Sequence, residues 1–518
     1  MHDEARLVSS TRLVSLLTLA SRILGLVRDA VCSHLFGAGA VYGAFTIAFQ
    51  VPNLFRRLFG EGALSAASIP VFSTVVEKQG RTQACLFASR LLTLLTLVLT
   101  GLAVLGGAIV LLLYALLPES SRTTLTLQLT ALLMPYLTLI CTIGVMAGLL
   151  NVLHSFAVPA MAPIILNIFM ILSALLGSGI WPDSDPRAVF VLSTGVLLSG
   201  LVQFLWQLRG LWSHELPVRP ALSLTDPLVR HVLRVMGPMT LGLAAVQINT
   251  LADSLIAAAC VPHAGAPAVL FYAQRLYQFP LGVFAIALAT VMFPAMSAQV
   301  AQEQIEDFRR TLSNGIRVIL FEGLPCTVGL MLIARPTVRL LFEHGQFTAA
   351  DTARVTPTLL AYAAGIWAFG LLQILVRAFY ALNDPVRPTV SSAASVVLNL
   401  ALNLTLVWWL EEAGLGLATT ICAVAQCVYL SAVLSRRVPG LDWPGIARSA
   451  GRSLAATTVM AVVVLAMDRF LPARPWGRSD ALARVVGSLI LGAGSYALAA
   501  RALGSDELRA LLQRRRSS

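Results

Sequence analysis

The stretch LLTLLTLVLTGLAVLGGAIVLLLYALL, residues 91–117, contains no charged side chain. A helix needs about 20 such residues to cross the hydrocarbon core of a bilayer. The run is rich in Leu, Ala and Val and lacks period-two alternation, so it reads as a helix and not as a β-barrel strand. Runs of the same kind recur on both sides of it, near 12–35, 42–76, 86–117, 124–152, 158–181, 188–212, 231–261, 266–298, 312–334, 353–382, 386–410, 413–435, 449–471 and 480–503. They predict an all-α polytopic membrane protein of about 14 transmembrane helices.

Composition leaves no other solvent. The 518 residues are 57% hydrophobic and 12% charged, with a mean hydropathy of +0.80. Soluble domains average about 45–50% and 25%. The net charge of +12 does not indicate nucleic acid. The basic residues are scattered between apolar runs, and no soluble domain is long enough to form a groove. Lys78 is the only lysine; genome composition accounts for such a bias, and a need for forked, bidentate contacts accounts for a few of the arginines. The cysteines Cys32, Cys85, Cys141, Cys260, Cys326, Cys422 and Cys427 lie mostly in apolar runs without metal spacing and read as core residues.

Met1-His2-Asp3-Glu4 lacks the basic region of a signal peptide, so the first apolar run is expected to stay as a membrane helix. Arginine-rich loops (Lys78 and Arg81; Arg209, Arg219 and Arg230; Arg309 and Arg310; Arg436, Arg437 and Arg448; Arg509 to Arg516) alternate with nearly uncharged ones. The positive-inside rule then puts both termini in the cytoplasm.

An internal repeat is visible. Gln50-Val51-Pro52 echoes Gln278-Phe279-Pro280, an offset of 278 − 50 = 228. Pro70-Val71-Phe72-Ser73 echoes Pro294-Ala295-Met296-Ser297, and Pro159, Pro163 and Asn167 echo Pro385, Pro388 and Asn399. The pattern predicts two pseudo-symmetric six-helix lobes, residues 1–213 and 229–437, joined by a proline-rich cytoplasmic linker at 214–228. Residues 438–518 supply two further C-terminal helices and a basic tail.

Charge inside apolar runs marks the candidate site, because an arginine at a helix centre costs about 2.5–3.5 kcal/mol. Arg22, Arg28 and Asp29 lie in the first run, with Arg22 and Asp29 seven apart on one helical face. Asn53, Arg56 and Gly60 share a face in the second, and Arg57 and Glu61, four apart, are placed to pair. Arg275 opens the eighth in Phe271-Tyr272-Ala273-Gln274-Arg275-Leu276-Tyr277-Gln278. Two readings compete. Arg22, Arg28, Arg56 and Arg275 converge on an anionic group in a wet cavity, where bidentate forks grip phosphate oxygens. Alternatively they snorkel to headgroups at the membrane edge, the reading preferred for Arg57. Asp253, Asn399, Asn403 and Thr419 offer oxygens suited to Na⁺ or a proton relay, with helix–helix hydrogen bonding as the competing role. Enzyme signatures are missing: there is no HExxH, no Ser/His/Asp set and no carboxylate cluster for Mg²⁺.

Residues 21–29 and 51–63, then 272–282, 342–348 and 414–419, resemble the MurJ (MviN) family of lipid II flippases, within the multidrug/oligosaccharidyl-lipid/polysaccharide exporter superfamily. The resemblance runs in order from about residue 12 to 436. It implies a non-enzymatic protein of the cell inner membrane that carries undecaprenyl-diphosphate-linked peptidoglycan precursor to the outer leaflet by alternating access. It implies that Arg22, Arg28, Asp29, Arg56 and Arg275 line the cavity, supported by Asn53, Glu61 and Gln278, and that the two extra helices form a groove for the lipid tail. Membrane lipids and cell-wall synthesis enzymes are the implied partners. A family sodium site maps onto Asp253, Asn399, Asn403 and Thr419, with Leu415 offering a carbonyl; protons or membrane potential are the other couplings. This chain departs from some members at Gly43, Gln50 and Gln278, where they carry Asp or Glu, Lys and Glu. Another lipid-linked oligosaccharide, or a drug as in the MATE-like exporters, is the alternative cargo.

Overall fold

The structure is a computed structural model that describes residues 2–60, 63–117, 121–181, 185–223, 225–470 and 478–509. In chain order its helices are α1 (His2–Phe36), α2 (Ala40–Phe55), α3 (Ala63–Leu116), α4 (Ser121–Val152), α5 (Ala157–Ala160), α6 (Ala162–Ile180), α7 (Pro186–Ser213) and α8 (Pro227–Cys260). Next come α9 (Ala266–Pro280), α10 (Ile286–Ala301), α11 (Ile305–Leu332), α12 (Ala334–Phe342), α13 (Ala349–Ala363), α14 (Ile366–Ala381), α15 (Val386–Arg437), α16 (Trp443–Phe470) and α17 (Arg478–Ala502). Among the described residues there is no strand. Nine helices there are long and apolar enough to cross a membrane, or ten when α13 and α14, bent by 40°, count as one span.

Two of these helices are double length, α3 with 54 residues and α15 with 52. Each contains one residue off the helical path: Gly80 at φ 79° and Glu411 at φ 50°. Gly80 falls between the sequence-predicted runs ending at 76 and starting at 86; Glu411 falls between those ending at 410 and starting at 413. α15 therefore carries two predicted spans, and α3 carries the predicted 86–117 span together with the end of the 42–76 run, whose first part is α2 and the π turn. Glycine takes positive φ without a Cβ clash. Glu411 has no such freedom, and next to it the buried Glu412 accepts from Arg354 of α13, an ion pair that holds the break in place.

The repeat is visible in local structure too. Pro52 in α2 and Pro280 in α9 remove the N–H that would bond four residues back. A π-helical turn comes after each, at Arg56–Gly60 and at Leu281–Ala285.

The chain forms two compact units. Unit 1 comprises Met1–Ala258, His263–Ala268 and His344–Phe347; unit 2 comprises Ala259–Pro262, Val269–Glu343 and Thr348–Ser518.

In unit 1, α4 is the central helix, burying Leu129, Leu133, Tyr136 and Leu137. Small residues let helices approach where lipid offers no hydrophobic drive. A Cβ on Gly144 would stand 2.6 Å from the Cα of Gly60, so α4 lies directly against the π turn. The proline-rich linker is not a free strand. Along α3, Ser89 and Thr93 accept the Arg219 and Ala221 N–H groups at 3.1 and 2.9 Å. Arg81 meets Glu215 at 2.5 Å and Arg90 meets Asp226 at 2.5 Å. Asp226 also caps α8 by accepting from Leu228 N–H at 2.8 Å. Burial pushes the Asp226 carboxyl up; the Arg90 and backbone hydrogen bonds outweigh that and hold it below the ordinary carboxylate range.

In unit 2, Phe308, Leu312 and Ile316 of α11 pack with Ile374 and Phe379 of α14 and with Leu430 and Leu434 of α15. A second cluster joins Phe321 to Met460 of α16 and Tyr496 of α17. Pro325 has no N–H to give the Phe321 carbonyl, and the Tyr496 hydroxyl donates to it instead, at 2.6 Å.

Candidate functional site

The charged residues of α1 end in a buried knot. Arg28 is 6% exposed and Asp29 3%. Arg28 donates to Asp29 Oδ1 from Nη2 at 2.6 Å and from Nε at 2.9 Å, and from Nη1 to Asn167 Oδ1 of α6 at 2.9 Å. Asn167 in turn donates from Nδ2 to the Ser21 carbonyl at 3.1 Å, so one amide clamps α6 to two turns of α1. The fully buried Cys32 and Tyr42 lie in the same charge environment. Burial of two charges is tolerated only when each is paired and hydrogen-bonded, and this knot meets that condition. Its consequence is that all three nitrogens of Arg28 are engaged with protein. Arg28 is thus a buried partner of Asp29 here, whereas Arg22, two turns earlier in α1, is exposed.

The π turn changes what α2 presents. An α-helix would keep Asn53, Arg56 and Gly60 on one face; the backbone becomes π-helical at Arg56, so that face is broken. One extra residue in a turn rotates the downstream side chains by about 100°. Arg56 is half-buried, whereas Arg57 is exposed and donates to Gln247 Oε1 of α8 at 3.2 Å. Asn53 spends its Nδ2 on the Phe49 carbonyl of its own helix, at 2.8 Å. Glu61, the expected partner of Arg57, lies outside the described residues.

In unit 2 the face of α9 is divided. Gln274 donates to the Tyr362 hydroxyl at 3.2 Å, and Tyr277 stacks on the Tyr362 ring at 4.9 Å, fastening α9 to α13. Residues 271, 275 and 278, at spacings of 4 and 3, share a face. There the Arg275 guanidinium sits 4.8 Å from the Phe271 ring centroid, a cation–π contact. Gln278 beside it is exposed.

The oxygen-bearing residues assemble in part. Asn399 and Asn403 are buried, with Asn403 Nδ2 donating to Asn399 Oδ1 at 2.7 Å. Asn399 Nδ2 donates to Thr419 Oγ1 at 3.5 Å, and Thr419 donates to the Leu415 carbonyl at 3.1 Å. Asp253 is buried in unit 1. Within unit 2 these uncharged side chains form a network in which Asn399 Oδ1, Thr419 Oγ1 and the Leu415 carbonyl each accept a side-chain donor. Among the described residues no three His, Cys, Asp or Glu side chains are grouped to hold a metal.

Set against known proteins, the sequence profile described as "Lipid II flippase MurJ" matches residues 32–487. The chain belongs to the MurJ family of lipid II flippases. A probable lipid II flippase MurJ of Vibrio cholerae is 34% identical over 505 residues, covering 95% of both chains. One of Rhizobium meliloti is 33% identical over 464 residues, covering 87% of this chain and 85% of its own. A solved lipid II flippase MurJ in an inward closed conformation superposes with a TM-score of 0.79 at 24% identity, over 95% of this chain and 99% of that one. An inward-facing MATE family multidrug resistance transporter of the MOP superfamily gives 0.69 at 15% identity, over 81% and 95%. The MurJ family and the wider MOP fold thus agree with the expected all-α membrane architecture. Asn167, which joins the MurJ-like α1 motif to α6, was not among the expected site residues. Its one sequence signal is an amide inside the apolar run 158–181, echoed by Asn399.

Proposed function

We propose that this chain is a lipid II flippase, moving undecaprenyl-diphosphate-linked peptidoglycan precursor from the inner to the outer leaflet of the cytoplasmic membrane without catalysing a reaction. The observation that carries this reading is end-to-end similarity to MurJ proteins in a chain that keeps Arg22, Arg28, Arg56 and Arg275 within apolar helices. Arg22, Arg56 and Arg275 supply forks for the diphosphate. Arg28 and Asp29 act as a positioning pair, Asn53, Glu61 and Gln278 as polar support. Residues 1–213 and 229–437 serve as the alternating lobes, with both termini cytoplasmic, and α16 and α17 hold the polyprenyl tail. Cargo shifts the lobes only by binding one state more tightly than the other. A cationic drug would call for an acidic site, so the MATE-like alternative is not favoured.

The sequence leaves the driving force to Na⁺, protons or membrane potential. The neutral Asn399–Asn403–Thr419 network supports the latter two; a sodium reading requires the charge of Asp253.

Complementation of a flippase-depleted bacterium tests the reading. The wild-type chain restores growth, and Arg56→Ala and Arg275→Ala, expressed at wild-type level, do not. Full rescue by both variants would remove the guanidinium site, and no rescue by the wild type would remove lipid II as the cargo.

A further inference from the structure

A groove outside the residues discussed so far lies in unit 1, on the side of the α6–α7 pair. These helices touch closely at Gly177, where a Cβ would meet the Ala188 carbonyl oxygen at 2.7 Å, and at Gly195, where a Cβ would collide with the Ser173 side chain. Alongside these contacts runs the groove, of about 560 Å³, within the roughly 300–1,000 Å³ of small-molecule sites. Its walls are Leu172 and Leu176 of α6 and Phe190 and Leu198 of α7. The two hydroxyls in the walls are bonded within their own helices: Ser173 donates to the Phe169 carbonyl at 2.6 Å and Thr194 to the Phe190 carbonyl at 2.8 Å. The groove therefore presents mostly hydrocarbon along its length. Leu172, Leu176 and Leu198 are each at least half exposed, so it opens outward.

One end is different. Trp181, at the end of α6, and Arg187, in the first turn of α7, both line the groove there, with the guanidinium 6.0 Å from the indole centroid. Trp is the residue of the headgroup level. Arg187 Nη2 donates to Asp185 Oδ2 at 2.9 Å, and Asp185 also caps α7 through the Arg187 N–H at 2.8 Å. The guanidinium is thus held in a fixed direction, with Nη1 outside the Asp185 contacts. A carboxylate stands beside it. Together they carry no net charge.

We infer that the α6–α7 groove is a binding site for a zwitterionic aminophospholipid of the phosphatidylethanolamine class. One acyl chain lies in the groove, the phosphate accepts from Arg187, and the primary ammonium donates to Asp185. The neutral pair selects the occupant. An anionic headgroup would set its charge against Asp185, and a choline headgroup has no N–H to donate. Chain burial adds little in a bilayer, because the tails left behind are equally apolar; the headgroup contacts decide.

The test is native mass spectrometry of the full-length protein in detergent, offered equal amounts of dioleoyl phosphatidylethanolamine, phosphatidylcholine and phosphatidylglycerol. The wild type retains the ethanolamine lipid about fivefold over the other two, the effect of one partly exposed charged contact. Asp185→Asn, which keeps an N-cap, brings the ethanolamine-to-choline ratio to about one. Leu172→Trp fills the groove and lowers retention of all three. Equal retention by the wild type, as for annular lipid, overturns the inference, as does a preference for phosphatidylglycerol. An ethanolamine preference that survives Asp185→Asn and Leu172→Trp overturns the assignment to this groove.

Discussion

Asn167 and Asn399 are echoes of each other in the internal repeat, and each sits at the centre of a buried polar knot, but the knots differ in charge. In unit 1 Asn167 completes the guanidinium–carboxylate pair of Arg28 and Asp29. In unit 2 Asn399 meets the uncharged side chains of Asn403 and Thr419. A charged knot cannot lose one member without stranding the other in a low-dielectric interior. A neutral knot can, at the cost of ordinary hydrogen bonds, and in membranes such bonds are worth only about 0.6 kcal/mol on average. Two helices at echoed positions of the sequence thus hold one region that is rigidly specified and one open to substitution.

That contrast can be broken at several points. The largest effect belongs to Arg28→Ala or Asp29→Ala, each expected to destabilise unit 1 by about 3–5 kcal/mol. The double replacement Arg28→Met with Asp29→Leu should recover most of the loss, read by thermal unfolding in detergent. Singles and double melting together would mean that the pair is not a mutually dependent couple. Next, Asn399→Ala should cost about 1–2 kcal/mol in the same assay; a loss as large as that of Arg28→Ala would erase the distinction between the knots. Introducing charge sharpens it. The wild type should unfold at the same temperature in NaCl and KCl, whereas Asn403→Asp should gain about 1 kcal/mol at Na⁺ several-fold above its dissociation constant. A sodium-dependent rise in the wild type would show that Asp253 already supplies the charge.

The smallest effect is in the linker and depends on pH. Asp226 is held below its ordinary pKa, so its contribution is present at neutral pH and fades as pH falls through the depressed folded-state value. Limited proteolysis should therefore cut residues 214–226 faster in strong acid, and Asp226→Asn should cut at nearly the same rate at neutral and acid pH. A linker equally resistant in the wild type across that range would mean that the Arg90 contact does not hold it.

The fold was legible because apolar length is a one-dimensional property. Even the breaks at Gly80 and Glu411 fall between predicted runs. The charged candidates were legible for a related reason: an arginine in an apolar run is costly enough to require an explanation. Partners were not. Asn167 lies 139 positions from Arg28, and nothing local distinguishes an amide that clamps a guanidinium from one that joins two helices. The shared face of Asn53, Arg56 and Gly60 failed because α-helical periodicity does not anticipate a π turn after Pro52. The linker read as a spacer from its prolines, yet Ser89, Arg90 and Thr93 of α3 bind it, and only tertiary structure brings those segments together.

The central claim is that guanidinium groups in apolar helices receive the diphosphate of a lipid-linked cargo. Lipid II translocation in proteoliposomes, scored by access of an external probe to the headgroup, measures it directly. The account predicts that Arg56→Ala and Arg275→Ala each unfold like the wild type but translocate at least about tenfold more slowly, one charge-assisted contact having been lost. Wild-type rates in both variants would contradict it.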